Sequence, residues 1–203
     1  MGSRIMHLII ANRIADEFSI KDRTSFLLGG ISPDAGSSKD ISHFYKGDVK
    51  DYSRYIDYNE FIHKYSFNKD SHFIKGHYTH LIADDIWLKG FYLPWLRNRV
   101  EADTNIFNRY HEDFRLLNGK LLDYYCCTKQ LTEVLHNIRP FVEIEEVQLN
   151  DLEQFIPCVI GDMDYGREEL GQSLSVFTFD QIIGYIETSV DKGLIYIKSL
   201  YSN

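Results

Sequence analysis

Apolar residues along this chain recur mostly three and four apart, the spacing of a helix face. Residues 4–18 put Ile5, Leu8, Ile9 and Ala15 on inward positions and predict a first helix. Asp22 or Thr24 is placed to cap a short helix through Phe26, Leu27 and Leu28, which Gly29-Gly30 ends. Ile31 to Ser38 reads as a loop by composition, and His43 to Asp48 as a loop or a short turn of helix. Residues 50–65 follow a helical pattern through Tyr55, Phe61 and Ile62. A long helix begins at Asp70 or Ser71, and Gly90 and Pro94 bend or stop it. Residues 101–125 predict another, with Ile106, Phe107, Tyr110, Phe114 and Leu117 inward, and 129–138 a shorter one that stops before Pro140.

Beyond that point the texture changes. Phe141 to Val147 alternates, which predicts a strand, an extended linker or a short hairpin. Residues 150–160 read as helix, 161–178 as a polar loop with Gly and Ser, and 179–200 as a final amphipathic helix interrupted near Gly193. The expected fold is all-α. It is one mainly helical domain over residues 1–203, with a core at about 4–125 and a C-terminal extension at about 140–203.

Composition narrows the function classes. The formal net charge of -8 argues against a general nucleic-acid binder, because neutralising phosphates needs clustered Lys and Arg. Three cysteines, two of them adjacent at Cys126 and Cys127, make no disulfide framework and fit a reducing compartment. The first residues lack a signal-peptide layout, and no apolar run approaches the roughly 20 residues of a spanning helix. The expectation is a cytoplasmic protein without stable membrane insertion, its oligomeric state open.

The chemistry concentrates in Gly76-His77-Tyr78-Thr79-His80-Leu81-Ile82-Ala83-Asp84. On a helix, His77, His80 and Asp84 share one stripe, so an imidazole and a carboxylate one turn apart can grip one divalent ion. Asp34, after a Ser-Pro step, and His43 are the other residues that would complete such a site. The residue types leave plainer readings open. Asp34 also suits a turn or a helix cap, His43 a half-buried surface position, and His80 a hydrogen-bonded core position.

Four pieces in order resemble the zinc-dependent phospholipase C group, which shares its fold with the P1-type nucleases. They are Arg4-Ile5-Met6-His7-Leu8, Phe26 to Asp34 (FLLGGISPD), Ser42-His43-Phe44, and Tyr78 to Asp84 (YTHLIAD). The resemblance implies a helical bundle around a zinc cluster. Asp34, His43, His80 and Asp84 would hold one ion, and Asp84 would bridge to a second held by His7. The family pattern does not ask for His77, but it lies on the right face; it and His111 are expected to support the ligands from behind, and Asp34 and Asp84 to take part in catalysis. The secreted enzymes also use a mature N-terminal Trp, but here the tryptophans are Trp87 and Trp95. A further zinc site would need later His and Glu residues, and His111-Glu112-Asp113 has the wrong spacing. One or two metals are therefore expected, zinc first, with iron, nickel or manganese also suited to His and carboxylate ligands.

The implied activity is metal-dependent hydrolysis of a phosphoric ester, either a small phosphoester or a phospholipid head group. Two alternatives stand beside it. An HD-type phosphohydrolase needs an adjacent His-Asp pair, and the nearest sequence here is His111-Glu112-Asp113. A non-catalytic helical binding protein with a vestigial metal site is the other.

Overall fold

Helix α1 (Arg4–Glu17) begins with a capping box, in which the Ser3 hydroxyl accepts from the Met6 amide. It is buried on nearly every side, His7 and Asn12 included, and so it runs through the interior. This comes from a computed structural model that describes residues 2–137, 142 and 144–201. The described residues form an all-α fold with one two-stranded hairpin.

Asp22 caps α2 (Arg23–Ala35) by accepting from the Ser25 amide at 3.1 Å. Contrary to the sequence expectation, α2 does not end at Gly29-Gly30, and residues 31–35 are helix rather than loop. The glycines serve packing instead of termination. A Cβ on Gly29 would lie 2.1 Å from the Phe73 carbonyl oxygen, and one on Gly76 would lie 2.0 Å from the Phe26 carbonyl oxygen. Only glycine permits two helix backbones to approach this closely. The partner is α5 (His72–Trp87), which starts after Ser71 as expected and is buried along almost its whole length.

A single turn, α3 (Lys39–Ser42), leads to His43 and then to β1 (Tyr45–Lys46). Strand β1 pairs antiparallel with β2 (Tyr55–Ile56), with Tyr45 opposite Ile56. Residues 50–57 are therefore not helical. Local polar bonds compete with helix there, such as the Asp48 amide to Ser53 Oγ at 3.0 Å and the Ser53 amide to Asp51 at 3.0 Å. Helix α4 (Tyr58–Lys64) starts only after its cap, Asp57.

Gly90 and Pro94 do not stop the chain's helical course. Leu88–Leu96 continues α5 in wide π-helical turns, and α6 (Arg97–Ala102) follows. The wider turn moves the preceding carbonyl away from the proline ring. In α7 (Asn105–Tyr125), Ile106, Phe114 and Leu117 are buried as expected, but Phe107 is exposed. Helix α8 (Thr128–His136) matches the expected short helix, and its predicted stop before Pro140 lies outside the described residues. Of the alternating segment, Phe141 and Glu143 lie outside the described residues, while Ile144 and Val147 form one antiparallel bridge.

Helix α9 (Leu149–Gly161) is followed by a loop that contains one helical turn, α10 (Arg167–Leu170). Helix α11 (Phe179–Leu200) runs without interruption past Gly193. That glycine also answers to packing, since a Cβ on it would stand 2.5 Å from Ile14 Cδ1. Ile156, Ile186 and Ile197 share a hydrophobic core with Ile5, Leu28 and Trp87. The C-terminal third therefore packs on the same core as α1, α2 and α5. No helix among the described residues is long and apolar enough to cross a membrane.

Candidate metal centre

His7, Asp34, His43, His80 and Asp84 converge where α1, α2 and α5 meet. Helix α5 presents His80 and Asp84 from successive turns, and α1 lays the His7 ring flat on His80 with centroids 3.8 Å apart. Asp34 comes from the last turn of α2 rather than from a loop. His43 is presented by a backbone turn whose next residue, Phe44, adopts φ 53°, a conformation that costs a bulky L-residue roughly 1–2 kcal/mol.

The hydrogen bonds behind the rings fix their orientation. His80 Nδ1 donates to the Gly30 carbonyl at 2.8 Å, and His43 Nδ1 to the Lys39 carbonyl at 3.0 Å. Carbonyls only accept, so in each ring the inward atom is Nε2. The two Nε2 atoms face each other at 3.4 Å. Asp84 Oδ2 lies 3.4 Å from His43 Nε2 and 3.7 Å from His80 Nε2, and Asp34 Oδ1 lies 3.7 Å from His43 Nε2. A tetrahedral ion with bonds of about 2.0–2.1 Å has ligand-to-ligand edges of roughly 3.3–3.4 Å. The spacings of His43, His80 and Asp84 therefore fit one divalent ion, and Asp34 falls in a second group with His7 and His80.

His7 adds a second face. Its Nε2 lies 3.1 Å from Asp84 Oδ1, outside hydrogen-bonding alignment, and both its ring nitrogens lack a hydrogen-bond partner among the described residues. The Gly2 amide donates to the same Oδ1 at 3.3 Å. Asp84 therefore turns one oxygen toward His43 and His80 and the other toward His7.

Burial sets the charges. It pushes His7 down to about 4, with nearby His80 acting the same way and Asp84 opposing. Burial also lowers His43, against its contact with Asp34. Burial alone would raise the two carboxyls. Contact with His43, then His80 and the positive amino terminus, for Asp34, and the positive amino terminus, then His7 and His80, for Asp84, hold both well below the usual carboxylate range. The result is two buried carboxylates among imidazoles, with His7 and His43 uncharged, which is the protonation pattern a cation needs.

His77 stands behind this group. Its Nε2 donates to the Ser42 carbonyl at 3.0 Å, which leaves Nδ1 to accept from Ser32 Oγ at 2.8 Å. Its ring stacks on Phe61 at 4.3 Å. His77 thus ties the α2 segment before Asp34 to the residue before His43. His111 is elsewhere. It is exposed, packs on Phe107 and Tyr110, and lines the cavity mouth rather than supporting a ligand. Asp113 is not paired with it. Its carboxylate accepts from the amides of Ser175, Val176 and Phe177 at 2.7–3.0 Å and pins the loop before α11.

A cavity of about 520 Å³ opens over the Asp34 and His43 side of the group, with Arg4, Lys39, Arg115 and Tyr45 among its walls. These cations are partnered, Arg4 with Asp162 at 2.8 Å, Lys39 with Asp34 at 3.3 Å, and Arg115 with Glu112 at 2.8 Å. A more apolar cavity of about 470 Å³, lined by Trp87, Leu88, Leu96 and Phe107, shares its Tyr45 and Tyr110 walls with the first.

Sequence reasoning did not single out Ser32, Ser42 or Tyr185. Tyr185 projects from α11 with its hydroxyl near His7, yet on the inward stripe of Ile182, Ile186 and Ser189 it reads as a core residue. Serines beside Pro33 and His43 carry no spacing signal of their own. In comparisons with known proteins, no family model, no curated protein and no solved structure matches this chain.

Proposed function

We propose that this protein is a metal-dependent hydrolase of phosphoric esters, of the zinc phospholipase C and P1 nuclease kind. The observation that carries the reading is the arrangement of His43 and His80. Both turn Nδ1 outward to a backbone carbonyl and Nε2 inward, 3.4 Å apart, beside a buried carboxylate. In this reading His43, His80, Asp34 and Asp84 would hold one divalent ion, zinc first, and His7 with Asp84 would hold another. When bound, such an ion supplies an acidified water and a Lewis acid toward a phosphoryl oxygen.

The chain's own residues do the rest. Asp34 is the carboxylate of the cluster that lines the cavity, and it takes the proton of the attacking water. Asp84, sealed behind the rings, keeps the negative charge that holds the cations. Arg4, Lys39 and Arg115 at the rim offer N–H donors to the ester's phosphate oxygens by exchanging their present carboxylate partners. The apolar cavity behind Tyr45 and Tyr110 receives the alcohol part of the ester. The engagement of Asp113 with three backbone amides disfavours the HD-type alternative.

The test is elemental analysis of wild type and Asp84→Ala, purified without chelating resin, followed by a panel of phosphomonoesters and phosphodiesters with the metal found. About one or two equivalents in wild type, lost in the variant, with turnover of a phosphoester, is the expected result. Absence of metal in wild type even after reconstitution would overturn the reading.

A further inference from the structure

The His7 face of the group holds more orphaned polar atoms than α1 and α5 supply. Tyr185 Oη, carried by α11, is fully buried and makes no hydrogen bond of good geometry among the described residues. The Ser189 hydroxyl comes near it, but gives its proton to the Tyr185 backbone carbonyl at 2.7 Å. Ring packing against Trp87 at 5.1 Å holds the side chain in place. A buried hydroxyl left unpaired is destabilising, so its position calls for a partner.

Gly2 shows how close Tyr185 comes to the group. The point at which a Cβ would stand on Gly2 lies 3.0 Å from Tyr185 Oη and 3.0 Å from His7 Nε2. The two atoms are therefore at most about 6 Å apart, a span that one water, seated clear of the Gly2 backbone, bridges with two hydrogen bonds. Asp84 Oδ1 lies beside them, 3.1 Å from His7 Nε2. A side chain at position 2 would crowd both atoms.

We infer that Tyr185 is a positioning residue of the site, whose hydroxyl hydrogen-bonds a water seated in front of His7 Nε2 and Asp84 Oδ1 and so fixes the ion held on that face. The inference rests on the metal reading above. Tyr185 donates its proton to the water oxygen or accepts from it, and no bond to the metal is required. Its role is to orient the ligand field on the His7 face, as outer groups do around other metal sites.

Tyr185→Phe tests this, because it removes one oxygen and keeps the ring packing. Wild type, Tyr185→Phe, His7→Ala and His43→Ala, as full chains, are titrated with Co2+ and Zn2+ and followed by visible absorption and elemental analysis. The metal-free proteins are melted in parallel. Tyr185→Phe is expected to weaken, about 10- to 100-fold, whichever equivalent His7→Ala weakens, and to alter its cobalt spectrum. Its metal-free melting temperature should be unchanged or raised, because an unpaired hydroxyl has gone. A hydroxyl that merely supports the fold predicts the reverse, a lowered metal-free melting temperature with unaltered metal binding.

The inference is overturned if Tyr185→Phe binds cobalt and zinc as wild type does, or if His7→Ala weakens no equivalent. Either outcome leaves the phosphoesterase reading standing when His43→Ala still abolishes binding. Wild type that takes up neither ion overturns both.

Discussion

His80 Nδ1 lies 2.8 Å from the carbonyl oxygen of Gly30, so a candidate metal-site histidine of one helix is oriented by the backbone of another. The bond is possible because α2 and α5 cross at Gly29 and Gly76, where backbone meets backbone. Orientation of the candidate ligands is thus a property of the helix crossing.

The first prediction concerns that crossing. Gly76→Ala puts a methyl group where the Phe26 carbonyl stands, and the helices must separate. Overpacking of this kind costs typically 1–3 kcal/mol, occasionally more. Urea unfolding should show a loss of at least about that size, and metal affinity should fall with it although no donor atom has changed. Unaltered stability and metal binding would contradict the account of the glycines.

His77→Gln should separate support from ligation. The ring's bonds to the Ser42 carbonyl and Ser32 Oγ are lost, while the five converging donors remain. The expected result is unchanged metal stoichiometry with affinity reduced about 10- to 100-fold. Elemental analysis with competition against a chelator measures both. A lost equivalent would make His77 a ligand.

His7 makes stability pH-dependent. The folded ring remains neutral down to about 4, while the unfolded ring takes a proton near 6.5. Between those values the unfolded state binds the extra proton, so stability is complete above 6.5 and falls as the pH drops toward 4. Full expression of the shift is worth roughly 3 kcal/mol. Asp34 and Asp84, depressed in the fold, add to this loss only at lower pH, below their ordinary carboxyl value. Urea midpoints of metal-free protein at pH 7 and pH 5 should drop for wild type and drop less for His7→Gln. Parallel profiles would refute the assignment.

Asp113→Ala should destabilise without touching the metal. It strips acceptors from three amides at Ser175, Val176 and Phe177, and a buried unpaired donor costs roughly 1–3 kcal/mol. Thermal melting should fall and metal content should hold. Metal loss in a variant that remains folded would revive the HD-type alternative.

Much of the helical fold was legible in the residue pattern, because α1, α5, α7 and α11 bury stripes or whole faces long enough to register. The misreadings share a cause. Gly29, Gly30, Gly193 and Pro94 are helix breakers by local chemistry; close packing holds the glycines within helices, and π-helical turns accommodate Pro94. Tyr55 and Ile56 fit a helical spacing, yet they pair as a strand because the turn chemistry around Gly47 and Asp48 depends on contacts that spacing does not encode. The converging residues His7, Asp34, His43, His80 and Asp84 were each named from the sequence. The hydroxyl of Tyr185 was not, since a tyrosine on an apolar stripe gives no sign of which way its oxygen points.

The crossing of α2 and α5 also shapes how the protein tolerates change. In a saturation-mutagenesis map, Gly29 and Gly76 should rank with His80 and Asp84 among the intolerant positions, although neither offers a functional group. A survey that targets polar residues alone would pass over both.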